Sequence, residues 1–207
     1  MTVEYNKEKW LKICKTTLSN YINMEKRLSD SKKLSDFILV YYSIFLIINS
    51  LTSVYFDSYN AKVCEYFGII LSIVMLAYSL INSNANYSRR IETVTAAINS
   101  LKRLKRDNLI NENLDFFKEE YNRIVDNVEF RSDLDFFKTV KAQCKEHGVK
   151  WFLPFDTSCN QDREQLKNYL SEISPYFLQA KLCFLWCFKT LVLIFPVAVF
   201  LICFIIV

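Results

Sequence analysis

FILVYYSIFLIINSLTSVYF, residues 37–56, is twenty positions long and carries no charge. A nine-residue gap, DSYNAKVCE, separates it from YFGIILSIVMLAYSLI at 66–81. A helix buried in a soluble core is interrupted by polar residues on its wet side, and a pair of runs like this is not what such a core needs. At 1.5 Å per residue the first run spans about 30 Å, the thickness of a bilayer's hydrocarbon core. The second spans roughly 24 Å and reaches full length with Cys64 and Asn82 at the two interfaces. Residues 37–81 therefore read as a transmembrane hairpin.

A third run, TLVLIFPVAVFLICFIIV at 190–207, is also free of charge, and its apolar pattern begins at Leu182. Trp186 and Lys189 lie inside that pattern and suit the cytoplasmic interface, the lysine by extending its stem toward the headgroups. Pro196 is tolerable in a span because neighbouring helices can satisfy the carbonyl it frees. The first 36 residues hold eight Lys and Arg, among them Lys26, Arg27, Lys32 and Lys33, while the hairpin gap holds only Lys62. Arg89 and Arg90 follow the second run. The positive-inside rule then puts the N-terminus and the central segment in the cytoplasm and Val207 at the outer face. The polar opening residues are not expected to form a cleavable signal peptide.

The expected class is an all-α membrane protein. Its parts are an amphipathic cytosolic helix at 1–36, the hairpin at 37–81, a cytosolic helical bundle at 82–181 and a C-terminal transmembrane helix at 182–207. Two Gly and three Pro in 207 residues leave little turn chemistry and point to long helices. Seven cysteines (Cys14, Cys64, Cys144, Cys159, Cys183, Cys187 and Cys203) show no metal-ligand spacing. The one histidine, His147, precedes Gly148 at an expected helix C-terminus, where a cation complements the dipole.

In the central segment, Ile91, Val94, Ile98, Leu101 and Leu104 recur at helical spacing, so the second span is expected to run on as an amphipathic helix or short coiled coil. Lys102, Arg103, Lys105 and Arg106 close it, either as a solvated cap or as a contact for nucleic acid or a partner. Residues 109–128 repeat the period through Leu114, Phe117, Tyr121, Ile124 and Val128. Ser132 and Asp135 have the form of a capping box for a helix running to about His147. Trp151 to Phe155 is an apolar patch that either covers the bundle's end or dips into the headgroup layer. A last cytosolic helix is expected from near Asn160, broken or bent at Pro175.

No HExxH, GxSxG, P-loop or GxGxxG is present, and two glycines cannot build a phosphate-cradling loop. No catalytic, metal or cofactor residue is expected. The spans hold no Asp, Glu, Arg or His, which argues against a proton-coupled carrier. They hold small polar residues instead. Ser43 and Ser50 are seven apart on the first, with Asn49 and Ser53 beside Ser50, and Ser72 and Ser79 are seven apart on the second. Such stripes fit close helix packing in a homo-oligomer or the wet lining of a pore.

A two-helix hairpin followed by YNRIVDNVEFRSDLDF at 121–136 resembles the SLATT families, the SMODS- and SLOG-associating two-transmembrane effectors. Their pattern, Y-x-x-I/L-L-x-x-x-E-N-H-x-x-x-D-Y, is met by Tyr121, Ile124, Glu129, Asp135 and the aromatic Phe136. Phe130 and Arg131 stand where the pattern has Asn and His. The resemblance covers about residues 1–145, leaving the third span outside the common core, and the subgroup encoded beside reverse transcriptases looks nearest. It implies an antiphage effector that breaches the bacterial inner membrane when a partner senses infection. The expected partners are the lipid bilayer, further copies of the chain and a reverse transcriptase or nucleotide-signal enzyme. Two rivals remain: a non-conducting scaffold recruiting a partner through Lys102–Arg106 and Trp151–Phe155, and a subunit of a transport complex.

Overall fold

A computed structural model of the chain describes residues 2–55, 61–108, 114–146 and 175–205. Among them every regular element is a helix: α1 (Thr2–Tyr55), α2 (Ala61–Asn84), α3 (Tyr87–Asn108), α4 (Leu114–Asp126), α5 (Asp133–Glu146) and α6 (Pro175–Ile205). Three of the helices are long and apolar enough to cross a membrane. The chain forms two compact units. One holds residues 1–29 and 88–179, the other 30–87 and 180–207, so α1 and α6 each contribute to both. The expected patch at Trp151–Phe155, His147 and the helix from Asn160 lie outside the described residues.

The helical unit gathers the first half of α1 with α3, α4 and α5. Each helix supplies apolar residues at three- and four-residue steps: Cys14, Tyr21, Met24 and Leu28 on α1, and Val94, Ile98, Leu101 and Leu104 on α3. Phe117, Tyr121 and Ile124 do so on α4, and Phe137, Val140 and Cys144 on α5. Full burial of a side chain such as Phe117, Phe137, Met24 or Leu101 contributes about 1.5–3 kcal/mol. The capping box forms as the sequence predicts. The Ser132 backbone amide donates to Asp135 Oδ2 (3.2 Å), and the Asp135 amide donates to Ser132 Oγ (3.3 Å). Burial holds the phenol of Tyr21 up at about 12, with Tyr121 and Asp126 adding to the rise and Arg131 opposing it.

The span unit packs α2 and α6 against the second half of α1. Ile38, Tyr42 and Leu71 form one cluster, with Tyr41, Phe45, Met75, Tyr78 and Val192 around it. Val199 forms another with Val63, Phe67 and Phe200. Large apolar side chains elsewhere on these helices, among them Ile47, Leu51, Ile69, Ile73, Leu76 and Leu191, stay more than half exposed. Such a surface suits a lipid environment.

Pro196 sits inside α6 and is fully buried. A proline lacks the amide that would bond the carbonyl four residues earlier, here that of Val192. Tyr42 supplies the missing donor, its hydroxyl reaching Val192 O at 2.7 Å, and the neighbouring Tyr41 donates to Leu193 O at 3.0 Å. The first span thus satisfies the backbone that the proline exposes, as the sequence reading expected of a neighbouring helix.

One expectation is corrected. The second span does not run unbroken into the amphipathic helix. α2 ends at Asn84, the Ala85 and Asn86 amides bond back to Ile81, Asn82 and Ser83, and Asn86 takes a left-handed φ of 48° before α3 begins. Asparagine tolerates that conformation better than most residues and serves as a helix C-terminal cap. The apolar periodicity on either side hides the break, because a two-residue cap alters neither pattern.

Tyr42→Phe should destabilise the protein in detergent by about 1–2 kcal/mol, and that loss should shrink when Pro196→Ala restores the missing amide. A double-mutant cycle read by chemical denaturation measures both. In the helical unit, folding keeps Tyr21 protonated where the unfolded phenol ionises near 10, so its contribution is intact below that pH and disappears as pH rises to about 12. Tyr21→Phe should therefore lose less stability than the parent between pH 10 and 12 by the same measurement.

Candidate functional site: a charge-locked motif and exposed hydroxyls in the spans

The motif at 121–136 is legible in the structure as a set of ties. Tyr121 bonds Thr17 of α1 through their hydroxyls (2.7 Å) and meets the edge of Trp10, with ring centroids 5.6 Å apart. Ile124 is buried beside it. Glu129 receives a bidentate pair from Arg90 of α3, with Nε to Oε2 at 2.8 Å and Nη2 to Oε1 at 2.7 Å. Arg131 lies over the ring of Phe136, 3.8 Å from its centroid. The guanidinium of Arg131 thus finds a flat partner that a lysine would use less well.

Asp135 is the centre of this set. Its side chain is fully buried, and Arg27 Nε donates to both carboxylate oxygens at 3.0 and 3.1 Å. Ser132 Oγ adds a bond of 2.8 Å. Asn23 Nδ2 reaches the Asp135 carbonyl (3.4 Å) and Thr139 Oγ1 (2.9 Å). Farther along, Gln143 bonds Thr16 (3.3 Å) and Lys15 pairs with Glu146 (3.2 Å). A polar ladder therefore runs the length of α5 against α1. Arg27 and Arg90 entered the sequence reading only as topology charges. Polar residues at 16, 23 and 27, spaced by seven and four, were the signal for the ladder, but α5 had to be folded against them to reveal it.

Other candidates separate. Lys102, Arg103 and Arg106 are exposed at the end of α3, with Arg103 paired to Asp107 at 3.6 Å, while Lys105 is half-buried near Cys14. Burial raises the Cys14 and Cys144 thiols above their usual range, Lys105 partly opposing it at Cys14, so neither is an activated nucleophile. A cleft of about 410 Å³ lies between α3 and α4 around Ala96, Ala97, Ser100 and Arg123. Asn127 bonds the Arg123 carbonyl and Thr93 the Arg89 carbonyl, so much of its polar lining is engaged locally.

The polar stripes of the spans divide into three groups. Asn49 is buried opposite Gly68 of α2, with Ser53 half-buried on the same stretch. Ser43 and Ser72 are exposed but bond back to the carbonyls of Leu39 and Gly68, at 2.7 and 2.8 Å. Ser50 and Ser79 are exposed and make no hydrogen bond among the described residues.

The ties of Asp135 and Glu129 differ in burial, and their removal should differ in cost. Asp135→Ala leaves the largely buried Arg27 and the Ser132 cap without a partner and should cost about 2–4 kcal/mol. Glu129→Gln, at a pair more than a third exposed, should cost less than about 1 kcal/mol. Urea titrations of the two variants check the ratio.

A family model, SMODS and SLOG-associating 2TM effector domain family 5, matches residues 4–202. The match runs through most of α6, beyond the 1–145 expected from the sequence, so the third span belongs to the matched region although the family's description counts two. No curated protein and no solved structure matches the chain. The packing of α6 on α1 through Pro196, Tyr41 and Tyr42 gives a structural reason for the longer match. By that coverage the chain belongs to the SLATT effector-domain family, as a membrane-spanning member.

Proposed function

We propose that the protein is an oligomeric, pore-forming effector of a bacterial antiphage defence system. In this reading it is seated in the inner membrane with its N-terminus and helical unit in the cytoplasm and its C-terminal end at the outer face. The observation that carries the proposal is the pair Ser50 and Ser79. Both hydroxyls are exposed on the protomer, within apolar runs, and without a hydrogen bond among the described residues. Hydrocarbon offers them no partner, whereas a neighbouring copy or a column of water does. Membership of an effector family and the absence of an enzyme motif in the sequence support the same reading.

The trigger in this proposal is a partner protein or a nucleotide or nucleic-acid signal acting on the helical unit. The family's description names association with SMODS and SLOG proteins, and a reverse transcriptase is the other partner the motif resemblance suggests. A second reading, a non-conducting scaffold that recruits such a partner, is favoured by one feature: Lys102, Arg103 and Arg106 remain exposed together at the end of α3.

Purified protein in liposomes loaded with a self-quenched dye separates the two. The pore reading expects leakage from the parent protein, lost in Ser50→Leu/Ser79→Leu while the protein stays folded and inserted. Tight liposomes with and without the partner, together with a stable membrane-bound complex, would instead establish the scaffold.

A further inference from the structure

Every residue of α6 from Cys183 to Lys189 is exposed. A helix completes a turn in 3.6 residues, so no side of this stretch is buried. Farther along, the same helix is packed. Val192 joins the cluster of Ile38, Tyr42 and Leu71, Pro196 is fully buried, and Val199 meets Val63 and Phe67. Lys181, Leu185 and Lys189 precede Val192 in steps of four, four and three, which places them on the same face. The face of α6 that packs on the hairpin from Val192 onward is therefore open before it.

The hairpin supplies the other walls of this opening. Tyr41 and Tyr42 close one end of it through the Leu193 and Val192 carbonyls. One turn earlier on α1, Phe37 stacks on Tyr41 with centroids 5.8 Å apart and stays 54% exposed. On α2, Val74 and Ile81 follow Phe67 at heptad steps and so share its α6-facing side, yet they are 54% and 69% exposed. Tyr41 meets Leu193 and Phe45 meets Phe200, so α1 and α6 run in the same direction and Lys189 is level with Phe37. Phe37 begins the uncharged run of α1, which puts Lys189 at headgroup depth.

Charge narrows the occupant. α6 contains no acidic residue. At this end the span unit holds Lys32, Lys33, Lys181 and Lys189 against Asp30 and Asp36, an excess of cations. A second copy pairing through the same face would set Lys189 against Lys189. Hydrocarbon alone suits the apolar walls but leaves the ammonium without a counter-charge. An acyl chain carrying an anionic headgroup answers both needs.

We propose that this opening seats one anionic glycerophospholipid of the bilayer. Its phosphate lies at Lys189, with Lys181 on the same face toward the water, and an acyl chain lies against Phe37, Val74 and Ile81. The inference rests on the reading of α1, α2 and α6 as spans, and not on pore formation.

Native mass spectrometry of the full chain tests it, after reconstitution in liposomes of equal parts phosphatidylglycerol and phosphatidylcholine and gentle extraction. Phosphatidylglycerol should be retained several-fold over phosphatidylcholine. That preference should disappear in Lys189→Gln and persist in Lys189→Arg. Val74→Trp, which fills the opening without changing charge, should lower retention several-fold. Ile47→Trp, on another exposed face of α1, should not. Equal retention of the two lipids, retention unaffected by both Lys189→Gln and Val74→Trp, or a lipid-free pair of copies would overturn the lipid site. Failure of the protein to float with the liposomes would overturn the span reading and the site with it. Dye leakage, read separately, reports on the pore alone: retained phosphatidylglycerol in tight liposomes supports the site and counts against the pore.

Discussion

Hydrocarbon cannot form a hydrogen bond, and that constraint orders the span unit. A carbonyl left open inside a span costs several kcal/mol unless protein supplies a donor. Pro196 creates such a carbonyl at Val192, and Tyr42 answers it from the first span. Tyr41 donates to the next carbonyl, that of Leu193, so two consecutive residues of α1 hold two consecutive carbonyls of α6. The same constraint explains why Ser43, Thr52, Ser72 and Thr190 turn back onto carbonyls of their own helices. Against that pattern, the hydroxyls of Ser50 and Ser79 stand out, and the functional proposal rests on them.

The helical unit solves a different problem. Its helices bury apolar side chains against one another, and that burial supplies most of its stability, through Phe117, Phe137, Leu101 and their neighbours. Yet α5 meets α1 through a ladder of polar side chains with a buried carboxylate near one end. Such contacts fix register more than they add stability, because a buried charge must first be taken out of water. Arg27, Asn23 and Thr16 bond distinct partners on α5, so a slip of one turn would strand Asp135 without its guanidinium. The residues that carry the family resemblance thus have a structural task here: they lock the α4–α5 turn and the start of α5 to α1 and α3.

The turn bearing Phe130 is where this chain departs from the family pattern inside that lock. In the family pattern its position and the next hold Asn and His, while in this chain they hold an exposed ring and an arginine stacked on Phe136. The framework around the turn stays charged and bonded, and the pair inside it departs from the pattern.

Much of the fold followed from local chemistry written in the sequence. Three uncharged runs gave three membrane helices because backbone groups in lipid must bond within their own segment, and Ser132 and Asp135 gave the start of α5 because a capping box needs only residues three apart. Tyr121, Glu129 and Asp135 could be named from the motif. Their partners Thr17, Arg90 and Arg27 could not, since each pairing joins residues far apart in the chain that share no local pattern. The break at Asn86 was hidden for the opposite reason, a very short interruption between two strong periodicities. The tyrosine donors for Pro196, and the division of the serines into satisfied and unsatisfied hydroxyls, were decided only by tertiary structure. A hydrogen bond to a carbonyl depends on which helix lies alongside, and composition does not record that.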